Sequence, residues 1–254
     1  MVGERSNCID ERQAKAYEFP YHYIPNSLGF PWFSRRWSWS ASYIAAVLLA
    51  EKWLVSLPLA EHHCHMDFGC GDGGFIHALK TRGVIKGVKF LGVDFDDHAI
   101  AWAKIFHDRP DNFSCRCISA LQEESYDSGS LIEVFEHIPP DECSTFVANM
   151  AKSLKKDAFV FVTVPSTQKK LSAKHYRHFD FNTLATCFER HFRVEDLFGF
   201  EKEGLASKPL AHLLDNRFLK AETNWSSKYL ISCYERKHAK LKGCGRIGMI
   251  ISKR

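Results

Sequence analysis

The stretch Glu61–Phe75, EHHCHMDFGCGDGGF, decides the fold. Cys64 to Phe68 reads as a short buried strand that ends in Asp67 and Phe68. Gly69, Gly71, Gly73 and Gly74 follow at once, and Phe75 to Lys80 begins a helical pattern. A strand, a glycine turn and a helix present backbone N–H groups at a helix N-terminus, where the chain can approach a ligand closely. Glycine suits such a turn because a side chain would block the approach or forbid the positive φ it needs.

Gly69, Gly71 and Gly74 match G-x-G-x-x-G, but that spacing alone also fits a tight turn without a ligand. Two further stretches sharpen it. A second strand, Phe90 to Val93, ends in Asp94, twenty-one residues after Gly73. That distance suits a carboxylate accepting both ribose hydroxyls of a nucleoside cofactor. Later comes SLIEVFEHIPP, Ser130–Pro140. With these three segments the chain resembles the class I S-adenosylmethionine (SAM)-dependent methyltransferases over about residues 60 to 200. Asp67 to Gly73 is similar to their first motif, Asp94 to the acidic end of their second, and Glu133 to His137 to the segment after their fourth strand.

The resemblance implies SAM as cofactor and a set of residues to hold it. Asp67 and the backbone of Gly69, Cys70, Gly71 and Gly73 fall to its amino acid end, and Asp94 to its ribose. An ionised carboxylate only accepts, so Asp94 can take two hydroxyl donors. Phe95 is expected against the adenine, or else in the core. Ser119 and Ala120 fall where family members contact the adenine edge, although the Asp often found there is missing. Glu133 joins the cofactor wall from the fourth-strand segment.

Methyl transfer to a hydroxyl gains from a general base, and histidine titrates near neutrality. His137, at the expected crevice mouth, is the first candidate; its alternative is a cap on the next helix. His175, in KHYRHFDF (Lys174–Phe181), is the second. Arg177 beside it suits a carboxylate or phosphate on the acceptor, or lies in a solvated loop. Glu133, Glu136, His137 and a later histidine, best matched by His175, are also similar to the Glu-x-x-Glu-His metal site of small-RNA 3′-end 2′-O-methyltransferases. Ubiquinone-pathway O-methyltransferases share the segment. A divalent metal is therefore an option, but the same segment is widespread without one, and no metal ligand is assigned. His62, His63, Cys64 and His65 do not make a zinc site. Neighbours on a strand point to opposite faces, and no second ligand pair has usable spacing.

The totals agree with one large α/β domain. The chain has 254 residues, 45% of them hydrophobic and 25% charged, with a net charge of +4. That mild basicity suits a small anionic acceptor and is too diffuse for nucleic acid. Nine cysteines without a Cys-x-x-Cys pair fit free thiols in a reducing cytoplasm. The polar first twenty residues are not expected to act as a signal peptide. Ala41 to Ala50 is an apolar run ended by Glu51 and Lys52, half the ~20 residues of a membrane span, and is expected as a packed helix.

Residues 1–60 are read as an aromatic flap, with His22, Arg35 and Arg36 facing a pocket, plus a helix from Ser40 to Leu57. Residues 61–254 form the SAM-binding domain. The expected fold is α/β, a doubly wound, mostly parallel sheet of seven strands in the order 3-2-1-4-5-7-6, with a helical insert at 201–243. Strand three is placed at Phe113–Ile118, four at Ser130–Val134, five at Ala158–Val164, six at Phe192–Phe198 and seven at Arg246–Ser252. The expected activity is O-methylation of a small polar or anionic acceptor. The rivals are an NAD(P)-dependent oxidoreductase, a metal-assisted RNA 2′-O-methyltransferase and a non-catalytic protein that kept the fold. The last would not need the intact set Asp67, Gly69, Gly71 and Asp94. No Asn/Asp-Pro-Pro-Tyr motif follows strand four, which argues against that kind of nitrogen methylation.

Overall fold

A computed structural model describes residue 11 and residues 37–83, 85–214 and 224–254. His22, Arg35 and Arg36 lie outside the described residues. The first helix, α1 (Trp37–Ser56), leads into alternating strands and helices: β1 (Cys64–Phe68), α2 (Gly74–Arg82), β2 (Lys89–Asp94), α3 (Asp97–Phe106), β3 (Phe113–Cys115) and β4 (Tyr126–Ile132). Then follow α4 (Cys143–Ser153), β5 (Leu154–Pro165), α5 (Phe181–Phe188), β6 (Phe192–Lys202), α6 (Ser207–Leu214), α7 (Asn224–Tyr234) and β7 (Cys244–Lys253). The seven strands form one sheet in the order β3-β2-β1-β4-β5-β7-β6. All neighbours are parallel except β7, which runs antiparallel to both β5 and β6. The expected sheet and its strand order are the ones found.

The central strands are apolar on both faces because helices cover both. Val160, Val162 and Val164 of β5 face the side of α4 and α5, with Val147, Met150, Leu184 and Phe188. Phe161 of β5 faces the other side, with Leu54 of α1, Leu79 of α2, Ile100 of α3 and Leu230 of α7. Leu54 and Leu230 are fully buried, and each such side chain stabilises by roughly 1.5–3 kcal/mol. Core packing of this kind holds α7 to α1. The run Ala41–Ala50 is the interior of α1, and among the described residues no helix is long and apolar enough to cross a membrane. Glu51, buried on α1, is met by Arg82 of α2 through two hydrogen bonds of 2.6 and 3.0 Å.

The boundaries differ from the sequence-based ones where polar residues begin or end a strand. β4 starts at Tyr126, four residues early, because Ser128 and Ser130 have buried partners that make polar residues tolerable there. β3 stops at Cys115 and gives way to a 3₁₀ turn at Ile118–Ala120. β6 continues to Lys202, because its ladder with β7 extends to Lys202 opposite Cys244.

Candidate functional site

The glycine turn is fixed by its backbone. Gly69 has φ +75°, and a Cβ there would sit 2.6 Å from a Val134 methyl. Its N–H and that of Cys70 donate to the Val93 carbonyl at 2.8 and 3.0 Å, binding the turn to β2. Gly73, at φ +80°, caps α2, and His107 Nε2 reaches its carbonyl at 3.2 Å. A side chain at Gly73 would strike that imidazole at 2.6 Å. Both positions therefore need glycine for conformation and for space.

Two buried carboxylates flank the turn. Asp67, at the end of β1, accepts from Ser130 Oγ at 2.6 Å. Asp94, at the end of β2, accepts the Gly71 N–H at 2.9 Å on one oxygen and the Asp96 N–H at 3.0 Å on the other. The Phe95 amide also acts on this carboxylate, which has about four acceptor positions in all. Burial raises both carboxyl groups above their usual range. Asp67 reaches about 7; Ser130 opposes the rise and Asp94 adds to it. For Asp94 the amides of Asp96 and Gly71 oppose it.

A cavity of about 680 Å³ opens at this end of the sheet. Its wall includes Asp67, Gly69, Cys70, Gly71, Asp94, Phe95, Ser119, Glu133, His137 and His175. Gly73 and Ala120 are not on the wall. Phe95 is 68% exposed, so it is not a core residue. Glu136 and Arg246 also line the cavity.

Below the fourth strand sits a polar cluster. Glu133 has φ +57°, a conformation a side-chain-bearing residue rarely adopts. Its N–H is held by the Thr163 carbonyl at 3.0 Å, and its Oε2 by Arg246 Nε at 2.8 Å. The buried Arg246 also pairs with Glu201, which in turn accepts from Lys169 at 2.6 Å and from Ser42 Oγ at 2.6 Å. Arg246 was not foreseen from sequence. It stands 113 residues from Glu133, and only the insertion of β7 beside β5 brings it there.

The histidines have defined tautomers. His137 Nδ1 meets the Lys174 carbonyl at 3.0 Å. A carbonyl only accepts, so Nδ1 carries the proton and Nε2 presents a lone pair. His178 Nδ1 meets the Lys169 carbonyl at 3.2 Å, which leaves its Nε2 to accept from His175 Nδ1 at 2.9 Å. His175 Nε2 is therefore also a lone pair. Ligand atoms of Glu136, His137 and His175 lie within 4.8 Å of one another. Burial lowers His137 to about 4 and, with His137 beside it, His175 to about 3, so both rings are neutral at pH 7. Glu136 is pushed well up by burial and by Glu133. Glu133 Oε1 and Glu136 Oε2 are buried without a hydrogen-bond partner. Arg177 is not at the cavity. Its guanidinium lies over the Phe179 and Phe135 rings, 5.0 and 5.6 Å from their centroids, which removes it as a clamp for an acceptor anion.

Comparison with known proteins gives a consistent picture. A family model described as a methyltransferase domain matches residues 41–200. No curated protein matches. Among solved structures, a SAM-dependent methyltransferase from Archaeoglobus fulgidus is 17% identical with a TM-score of 0.53, covering 82% of this chain and 94% of its own. A TehB-like SAM-dependent methyltransferase from Corynebacterium glutamicum is 16% identical, TM-score 0.53, with 83% and 88% covered. The 1,6-didemethyltoxoflavin-N1-methyltransferase of Burkholderia thailandensis, with bound 1,6-didemethyltoxoflavin and S-adenosylhomocysteine, is 16% identical, TM-score 0.52, with 84% and 78% covered. At these identities the likeness speaks for the fold.

Proposed function

The chain belongs to the class I SAM-dependent methyltransferases, and on that premise we propose that it methylates an oxygen of a small polar or anionic acceptor. The cofactor is SAM. In this reading Asp67 and the turn Gly69–Gly71 hold its amino acid end, and the Asp94 carboxylate holds the ribose. Phe95 and Ser119 flank the adenine, and Glu133 closes the wall beside the sulfonium.

Transfer is an in-line displacement on carbon, so positioning is the enzyme's main contribution, worth ~7–11 kcal/mol when orientation is good. A hydroxyl acceptor must also lose a proton. The observation that carries the oxygen assignment is the pair of imidazole lone pairs, His137 Nε2 and His175 Nε2, at the same cavity as Asp67 and Asp94. Either can accept that proton; burial, which keeps both rings neutral, also weakens them as bases, so the gain lies below that of a base matched to neutral pH. An amine acceptor, nucleophilic once neutral, has less need of such a pair.

A divalent cation is the second reading, and the residues fit it. Two buried carboxylate oxygens, on Glu133 and Glu136, have no hydrogen-bond partner. The two histidines are held through their other nitrogens by a carbonyl and by His178, as ligating imidazoles are. Glu136, His137 and His175 would hold the ion; Glu133 is engaged by Arg246. Such an ion polarises an acceptor hydroxyl and lowers its pKa.

The test has two arms. Calorimetric titration with S-adenosylhomocysteine and with NAD checks the cofactor; binding of NAD alone would end this reading. Turnover of radiolabelled SAM on a panel of sugars, sugar phosphates, hydroxy acids and their amino counterparts, with and without a chelator, checks the acceptor atom. A methyl ether product is expected, and product methylated only on nitrogen rejects the oxygen assignment.

A further inference from the structure

A line of buried polar side chains runs along β1 and β4 and ends on Asp67. His63 Nε2 lies 2.8 Å from Ser128 Oγ, and Ser128 Oγ lies 2.8 Å from His65 Nδ1. His65 Nε2 lies 2.9 Å from Ser130 Oγ, and Ser130 Oγ lies 2.6 Å from Asp67 Oδ1. The pattern follows from strand geometry. His63, His65 and Asp67 alternate along one chain, and β4 pairs in parallel with His65 opposite Ser128 and Asp67 opposite Ser130. His65, Ser128 and Ser130 are fully buried, and Trp53, Phe75 and Phe90 surround the His65 ring.

Counting protons gives the line a direction. With Asp67 ionised, the single Ser130 hydroxyl proton goes to the carboxylate, so His65 must donate to Ser130 from Nε2. A neutral His65 then accepts at Nδ1, so Ser128 donates to it, and His63 Nε2 must donate to Ser128. Every hydrogen bond points toward Asp67. Apolar residues would fill a site so dry at less desolvation cost. A connected line of four polar groups aimed at one carboxylate is therefore evidence of a task.

We propose that His63, Ser128, His65 and Ser130 act as positioning residues that hold Asp67 as an anion for the ammonium group of the cofactor's amino acid end. The proposal rests on the assignment of Asp67 to that end. Asp67 needs such help, because burial, with Asp94 across on β2, raises it to about 7 even against the Ser130 hydrogen bond. Asp72 and the Cys70 thiol lie on the turn beside it, as the charges acting on Cys70 show. At the far end of the line, His63 is faced by Asp127 and Lys155. Burial and His63 lower His65 to about 3, which keeps its ring neutral, as the polarity requires.

Affinity for S-adenosylhomocysteine should be flat above the Asp67 pKa and fall about tenfold per pH unit below it. Ser130→Ala removes a hydrogen bond to a charge, so the midpoint should move up by about one pH unit, weakening binding about tenfold at pH 6.5 and little at pH 9. Ser130→Thr should restore it. His65→Phe, which fits the aromatic cage and does not touch Asp67, should shift the midpoint in the same direction. Ser128→Ala, which removes only a hydroxyl, serves if His65→Phe does not fold. Methylthioadenosine, which lacks the ammonium, should show no acid limb. Unmoved midpoints in these variants, or equal weakening at every pH, overturn the relay. Wild-type affinity for S-adenosylhomocysteine that is constant from pH 5.5 to 9 overturns it too, while leaving the cofactor assignment standing. A chain that binds no S-adenosylhomocysteine at any pH removes the assignment itself.

Discussion

Arg246→Met is the substitution whose effect the site makes most calculable. Methionine keeps the apolar length of the side chain and removes the charge. Arg246 is buried, and it pairs with Glu133 at 2.8 Å and with Glu201. Glu201 would keep Lys169, at 2.6 Å, and Ser42. Glu133 would lose the partner of its Oε2 while its Oε1 already has none. Removing one partner of a buried pair costs about 3–5 kcal/mol, because the other charge stays behind unpaired. Glu133 borders the cavity, with 16% of its side chain exposed, so hydration moves the figure to the low end, about 3 kcal/mol. For a chain of this size that is a fall in Tm of roughly 6–12 °C. Glu133→Gln in the same chain should recover about half of it. Thermal unfolding followed by circular dichroism measures both effects. A Tm within 2 °C of the parent, or a deficit that ignores Glu133→Gln, refutes the reasoning.

Three other outcomes are expected. Gly69→Ala must accept φ +75° and a 2.6 Å contact with Val134; titration should show S-adenosylhomocysteine binding weakened at least tenfold, while the far-ultraviolet spectrum is kept. His137→Ala should lower turnover by about tenfold to 10²-fold with cofactor affinity nearly unchanged, and if a cation is used, a chelator should reproduce that loss in the parent and add nothing in the variant. Urea unfolding of the cofactor-free protein should show stability falling as pH drops from 6.5 toward 4. His65 and His107 stay neutral when folded, lowered to about 3 and about 4 by burial, but take up protons when unfolded. Asp67, which holds its proton up to about 7 in the folded state, acts in the opposite sense, as do Asp94 and Glu136; a flat or rising curve would mean that these carboxyl groups outweigh the rings.

What could be read from sequence was whatever the chain encodes locally. The glycine turn needs positive φ at fixed positions, and only glycine supplies it without strain, so Gly69 to Gly73 is legible at once. Asp94 is legible because it ends the very next strand. Continuous apolar runs mark β5 and β7, since a strand covered on both faces has no polar side. The site residues contributed by distant strands left no such trace. Arg246 is one basic residue in an apolar strand, and nothing near it in sequence names Glu133 or Glu201. Arg177 reads as an anion clamp from its place beside His175, yet its guanidinium lies over the Phe135 and Phe179 rings.

The histidines before the glycine turn show how an argument against one kind of site can conceal another signal. Alternation along β1 rules out a zinc site built from His62, His63, Cys64 and His65, because neighbours face opposite ways. The same alternation puts His63, His65 and Asp67 on one face. Two rings in line with a carboxylate, buried in a parallel sheet, need polar partners from the next strand. The only strand to supply them is the one whose opening, Tyr-Asp-Ser-Gly, looks too polar to be a strand at all. Ser128 and Ser130 make that opening a strand by meeting the imidazoles, and the imidazoles are tolerated in the core because the serines are there. Each half is unfavourable without the other. A polar run in a predicted central strand is thus grounds to look one strand over for its partners before discarding the strand.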